Sequence, residues 1–263
     1  VTTWVLLSLI GCRESLYAKA IPPDKEPADE YEALLSQVVS EDGLVDYDAL
    51  EADRRPLDRY VAWLAGDNPL RGRQTGDHHP FWLNAYNALV LYQVLERGRP
   101  ASVLDVDGFL PVDGAGFFFE TQFKVEDEWL SLSDIEGERV RWMELDLRDH
   151  AALNCASRSC PPLRAELYRR GELERQLKDQ MRRWVNDPVR GVRVDDEGAQ
   201  FSAIFSWYAR DFAFFSAGKS LCDIAATFAD KELARRLSEL DAEGCPHDFL
   251  PYDWRLNDAN TPE

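Results

Sequence analysis

The sequence predicts an α+β fold with a central buried helix, short strands and hairpins, and surrounding helices. Three observations predict it. The stretch DHHPFWLNAYNALVLYQVLERG (77–98) is apolar on nearly every side over helical length, so it reads as a helix inside the protein. Two extended runs are broken by acidic turns, at Glu126-Asp127-Glu128 and at Asp195-Asp196-Glu197-Gly198, and each reads as a hairpin. Helices and hairpins are scattered along the chain without a regular βαβ alternation. The 263 residues, 45% hydrophobic and 11% aromatic, suffice for a substantial core.

The elements follow in order. EYEALLSQVV, within Ala28 to Val39, has helical spacing. GLVDYDAL (43–50) opens on a turn glycine and continues as a short extended segment. Residues 49–66 read as helix, with Pro56 marking a break or a new start. In the central helix His79 stands where an N-cap would, Pro80 suits the first turn and Gly98 the stop. Asn84 and Asn87 lie on roughly one face, and buried amides need partners. They either tie down neighbouring loops or line a site. Residues 117–132 read as two strands, and Ser133 with Glu136 has the spacing of a capping box. LRDHAALNC (147–155) alternates like a strand, and Pro162 suits the start of a helix running to Gly171. Residues 172–186 read as an amphipathic helix, 189–204 as the second hairpin, and 205–212, 219–229 and 231–240 as helices. No linker after residue 30 is long enough to divide the chain, so residues 30–263 are expected to form one domain.

Charge narrows the partners. There are 48 acidic and 30 basic residues, a net charge of −18. That argues against nucleic acid and against adsorption to anionic lipid, both of which need clustered Lys and Arg.

The first residues, VTTWVLLSLIGC, hold an apolar run from Trp4 to Ile10 that is too short to span a bilayer. It fits the h-region of a signal peptide, although no basic residue precedes it. Leu9-Ile10-Gly11-Cys12 resembles the bacterial lipobox, in which the cysteine becomes the lipidated N-terminus. The expectation is a signal peptide over 1–12, a polar, proline-bearing tether over 13–29, and a chain attached to the membrane only through lipid on Cys12. It would face the periplasm or the outside of the cell. The alternative is a frayed or buried N-terminal segment. An exported chain meets oxidising conditions, so Cys155, Cys160, Cys222 and Cys245 can form up to two disulfides, with three connectivities open.

GLVDYDAL, FWLNAYNALVL, SLSDIEGERVR, RDHAALNCASRSCPPLR, FSAIFSWYARDF and YDWRLN occur in an order that resembles the domain-of-unknown-function 547 family, from about residue 30 to the end. Members of that family are bacterial, often exported, and also plant proteins. Some members are fused to a glutaredoxin-like module, which implies thiol chemistry by association only. The resemblance assigns no catalytic residues. Cys222 and Cys245 lie outside these motifs and are favoured over the other pairings for a plain disulfide, with all three connectivities still open.

ALNCASRSCPPL (152–163) carries the chemistry to be explained. In a strand, Arg148, His150, Ala152 and Asn154 point one way and Asp149, Ala151, Leu153 and Cys155 the other. Cys160, just ahead of the expected helix and near Arg158 and Arg164, has a setting that favours thiolate. A turn after the strand would bring it towards His150. One reading is a cysteine hydrolase or acyl-transfer site on an unknown small-molecule or peptide substrate. Cys160 or Cys155 would be the nucleophile, His150 the base, and Arg148 and Asn154 the groups that orient the base or bind substrate. A second reading is a Cys155–Cys160 disulfide, structural or redox-active, in a non-enzymatic envelope protein. A third is a corner in which both thiols are simply buried. No cofactor is expected. Nor is a metal site: Cys155, Cys160 and His150 offer three ligands, without paired C-x-x-C knuckles. His78 and His79 read as a solvated helix start, and Glu136 as a helix cap. Asp211 is expected to form a network with Tyr208 and Arg210, and Tyr252-Asp253-Trp254 either closes over a pocket or packs as a terminal strand.

Overall fold

The computed structural model describes residues 13–66, 69–70 and 73–261. Cys12 lies outside them. The fold is α+β, with two small sheets among twelve helices in the described residues. None of these helices is long and apolar enough to cross a membrane.

The stretch expected as a tether contributes β1 (Glu14–Leu16), which lies parallel to a later strand. Helix α1 (Ala28–Val38) buries Tyr31, Leu34, Leu35 and Val38, a stripe at helical spacing. A short helix, α2 (Tyr47–Ala52), starts where Asp46 accepts the Ala49 N–H, and a new helix, α3 (Arg55–Leu64), carries Pro56 in its first turn. The central helix is α4 (His78–Glu96). Every residue from His79 to Leu95 is buried, which is why its sequence shows no polar face. Asp77 holds the N-cap position, and His79 lies inside the first turn.

Next come β2 (Thr121–Val125) and β3 (Glu128–Ser131), antiparallel across the acidic turn, with β1 on the far edge of β2. The helix after β3 is capped by Ser131 and Asp134, two residues earlier than the expected pair Ser133 and Glu136. It runs from α5 (Leu132–Asp134) through a π-helical stretch (Ile135–Arg141) into α6 (Trp142–Glu144). A second π-helical stretch, Gly116–Glu120, precedes β2.

Two expectations fail between residues 147 and 171. Asp149–Ala152 is a helical turn, α7, and not a strand, so the alternation of faces read from 148–155 does not apply. Residues 161–169 form no helix, so Cys160 does not precede a helix N-terminus. Helix α8 (Leu173–Val185) begins later and buries Leu177, Met181 and Trp184.

The remaining chain builds the second sheet. Strands β4 (Val192–Val194) and β5 (Ala199–Phe201) form the expected hairpin, followed by α9 (Ala203–Trp207), α10 (Ala209–Phe215), α11 (Leu221–Ala226) and α12 (Lys231–Ala242). Strand β6 (His247–Phe249) returns parallel to β5. Apolar side chains gather in two clusters. The larger surrounds α4 and the first sheet, and the smaller joins α8, α9 and α10 to the second sheet. The cysteine loop crosses from one to the other: Ala151 packs in the smaller cluster and Ala152, Leu153 and Ala156 in the larger.

Candidate functional site

Side chains from distant elements hold the cysteine loop. Asn87 Nδ2 donates to the Ala152 carbonyl and Asn87 Oδ1 accepts the Asn154 N–H, both at 2.9 Å. Asn154 Nδ2 donates to the Pro161 carbonyl at 2.8 Å, while its Oδ1 accepts the Ala156 N–H at 2.9 Å. Ala156 sits at φ 61°, fully buried, so the turn between the cysteines is imposed from outside rather than preferred by its residue. The C-terminal segment closes the other side. Arg158 N–H donates to the Arg255 carbonyl at 2.8 Å, and Asn257 N–H to the Ala156 carbonyl at 3.0 Å. The motifs ALNCASRSCPPL and YDWRLN, about a hundred residues apart, therefore form one unit.

Cys155 and Cys160 stand at disulfide distance, with Cα atoms 6.2 Å apart. Cys155 is half-buried, whereas Cys160 is 3% exposed. The Cys155 N–H donates to Cys160 Sγ at 2.8 Å. The Tyr252 hydroxyl lies 3.3 Å from Cys155 Sγ and 3.5 Å from Cys160 Sγ, and accepts the Ser157 hydroxyl at 2.9 Å. Burial raises the Tyr252 pKa well above the ordinary value, so this hydroxyl keeps its proton. Cys222 and Cys245 form a second pair, with Cα atoms 5.8 Å apart; both are buried in the smaller cluster.

The Cys155–Cys160 pair borders a cavity of about 630 Å3, within the range of small-molecule sites. Tyr86 and Leu153 line it from the larger cluster, Ile204, Trp207 and Tyr208 from α9 and its end, and Tyr252 and Trp254 from the C-terminal segment. Both π-helical stretches reach it, through Phe118 and Phe119 and through Glu136, Gly137 and Arg141. Such widened turns recur at functional sites because they turn side chains out of the regular helical register.

A polar chain runs along one wall. Tyr208 donates its hydroxyl to Glu136 Oε1 at 2.5 Å. The His150 ring lies against Tyr208, with centroids 4.3 Å apart, and its Nε2 meets Asp211 Oδ2 at 3.1 Å. Arg141 Nε donates to the same oxygen at 2.7 Å, and its guanidinium stacks 4.5 Å over the Tyr208 ring. Burial opposes ionisation of Asp211, but hydrogen bonds from His150 and Arg141 outweigh it and hold the carboxyl at about 2. The Asp211 network expected from sequence is there, with Arg141 as its cation in place of Arg210.

The expected site residues divide into two groups. Cys155, Cys160 and His150 border one cavity. Arg148, Asn154, Asn84 and Asn87 are committed elsewhere. Arg148 pairs with Asp146 at 2.6 Å and with Glu174 at 2.8 Å. Asn84 takes the N–H and carbonyl of Tyr168, each at 2.9 Å, so both α4 amides tie down loops. The expected thiolate-stabilising cations are also occupied: Arg158 donates to the Asp258 and Thr261 carbonyls, and Arg164 pairs with Glu166 and Asp179. His79 is not a solvated helix start. It is 8% exposed, and its Nε2 meets Asp149 Oδ1 at 2.7 Å. Burial alone would lower the His79 pKa, but Asp149 raises it overall. Among the described residues no group of three or more His, Cys, Asp or Glu gathers as metal ligands would.

Glu136 is a cavity group and not a helix cap, and Arg141 carries no local motif that marks it. Tyr208, expected in the Asp211 network, and Tyr252, expected either over a pocket or in a terminal strand, both border the cavity.

Comparison with known proteins gives one match. Residues 71–185 match the family described as "Protein of unknown function, DUF547". This is a shorter span than the motif order suggested, and it includes the cysteine loop, His150, Glu136 and Arg141 but not Tyr208, Asp211 or Tyr252. No curated protein and no solved structure matches the chain.

Proposed function

We propose that this chain is an envelope lipoprotein whose domain holds a small molecule or peptide segment in the cavity and carries out thiol–disulfide exchange at Cys155. The observation that carries the reading is the placement of the Cys155–Cys160 pair in the cavity wall with Cys155 the more exposed sulfur. The second cysteine pair, packed in the core, has no such access.

A thiolate of an entering dithiol attacks Cys155 Sγ, a mixed disulfide forms, and the Cys155–Cys160 bond breaks with its electron pair leaving on Cys160. The Cys155 N–H and the Tyr252 hydroxyl stand ready to donate to that sulfur. The second thiolate of the dithiol then attacks its own sulfur in the mixed disulfide and releases Cys155. The dithiol leaves as a disulfide and the protein pair is reduced. Replacing Cys160 by Ser tests the assignment. The variant should trap a mixed disulfide on Cys155 with a small disulfide probe, read by intact mass and peptide mapping. Faster trapping on Cys160 in the Cys155→Ser variant than on Cys155 in the first contradicts it.

A second reading is acyl transfer from the reduced form, with Cys155 as nucleophile. It is favoured by His150, which borders the same cavity and makes a hydrogen bond to a carboxylate through one ring nitrogen. Its test is acylation of the reduced protein by an activated ester, lost in His150→Gln with exchange unchanged. Lipidation of Cys12, supported by the lipobox-like Leu9-Ile10-Gly11-Cys12, is tested by palmitate labelling that disappears in Cys12→Ala.

A further inference from the structure

The polar groups of the cavity also specify a ligand. We infer that the cavity is built for an organic ammonium ion with an apolar or aromatic body. The inference rests on the reading of the cavity as a ligand site and is independent of any chemistry at the cysteines.

Three observations converge. First, the cavity's charge is negative. Glu136 and Asp113 border it, and Arg141, the one guanidinium there among the described residues, is paired with Asp211 and stacked on Tyr208. Among the described residues no cation lies within ion-pair distance of Glu136, and its hydrogen-bond partner is the Tyr208 hydroxyl on Oε1. A buried or half-buried carboxylate in that setting favours a counter-ion.

Second, His150 brings a ring nitrogen to the cavity wall. It is 5% exposed, its Nε2 meets Asp211 Oδ2 at 3.1 Å, and no partner for Nδ1 is found among the described residues. In the tautomer that donates from Nε2 to the carboxylate, Nδ1 presents a lone pair that a ligand N–H can meet.

Third, the walls are aromatic. Trp207 and Trp254 stack at 5.4 Å between centroids, and Tyr252 lies 4.6 Å from the first and 4.5 Å from the second. Aromatic faces attract cations through the ring quadrupole and also accept an apolar body.

The test uses the oxidised protein and three probes of nearly equal size: 2-phenylethylammonium, 2-phenylethanol and phenylacetate. Binding is followed by tryptophan fluorescence and by calorimetry. The ammonium probe should bind at least about tenfold more tightly than the alcohol, and phenylacetate more weakly than either. Glu136→Gln, which keeps an oxygen for the Tyr208 hydroxyl, should remove the ammonium preference, with a native melting temperature and the alcohol still bound. Equal affinity for ammonium and alcohol overturns the inference. So does a preference that survives Glu136→Gln, or saturable binding of none of the three. None of these outcomes touches the exchange reading, which is measured at the cysteines and fails separately.

Discussion

The hydroxyl of Tyr252 stands 3.3 Å from the sulfur of Cys155, although 97 residues separate them in the chain. The contact exists because the C-terminal segment lays its backbone along residues 156–159, and it joins the final stretch of the chain to the chemistry of the cysteine loop.

Removing this hydroxyl in Tyr252→Phe should make the Cys155–Cys160 disulfide harder to reduce. The thiolate that leaves on Cys160 would lose one donor, worth about 1 kcal/mol, or roughly 20 mV for a two-electron couple. The midpoint should become more negative, and exchange with a small dithiol should slow about fivefold. Redox titration and stopped-flow exchange read both. An unchanged midpoint with a native melting temperature would leave Tyr252 as packing only.

Asn87→Leu should destabilise the protein by about 3 kcal/mol, because it strands the buried Ala152 carbonyl and Asn154 N–H. Denaturant unfolding measures the loss. The same substitution should also raise the reactivity of Cys155 by loosening its loop, which a surface amide substitution would not do.

The two disulfides should differ in what they contribute. Cys222 and Cys245 close a span of 23 residues and Cys155 and Cys160 a span of 5. Chain-entropy arithmetic gives ~3 kcal/mol for the first and ~2 kcal/mol for the second. Paired Cys→Ser variants compared in urea should therefore rank in that order. Thiol–disulfide exchange should be lost only in the variant lacking Cys155 and Cys160.

Acid should release the Asp211 network. The folded carboxyl titrates at about 2 against an ordinary 3.8, so its contribution to stability is complete above 3.8 and is lost as pH falls from there towards 2. His79 behaves oppositely. Its pKa is raised in the fold, so its contribution is complete below the ordinary 6.5 and is lost as pH rises through its folded value. Asp211→Asn should flatten the acid limb of the stability profile and His79→Gln the limb above neutrality. Melting temperatures across pH 2–9 check both.

These residues also show what the sequence discloses. Helix α4 is legible because burial on all sides leaves a long apolar run, and both hairpins are legible because their turns are local. The Asp211 network was half legible, since an acid beside Tyr208 has to find a cation but the chain does not say which. The region 147–171 was not legible. Its alternation fits a strand and its prolines fit a helix start. Yet the backbone there is held by side chains from α4 and α8: Asn84 on Tyr168, Gln176 on the Leu167 carbonyl, and Gln180 on the Ala151 and Pro162 carbonyls. Partners supplied from α4 and α8 leave no periodic signal in the loop they hold. Glu136 differs from its sequence expectation for a related reason. Its spacing from Ser133 fits a cap, but Ser131 and Asp134 take that role and a π-helical stretch carries Glu136 to the cavity.

The central claim is that Cys155–Cys160 is an exchanging pair and Cys222–Cys245 a staple. The most direct test equilibrates the oxidised protein with dithiothreitol buffers of graded potential, quenches by alkylation and reads each cysteine by mass. Cys155 and Cys160 should become alkylated together at a distinctly less reducing potential than Cys222 and Cys245, with the protein still folded. Reduction of both pairs at one potential, or of Cys155–Cys160 only on unfolding, would contradict it.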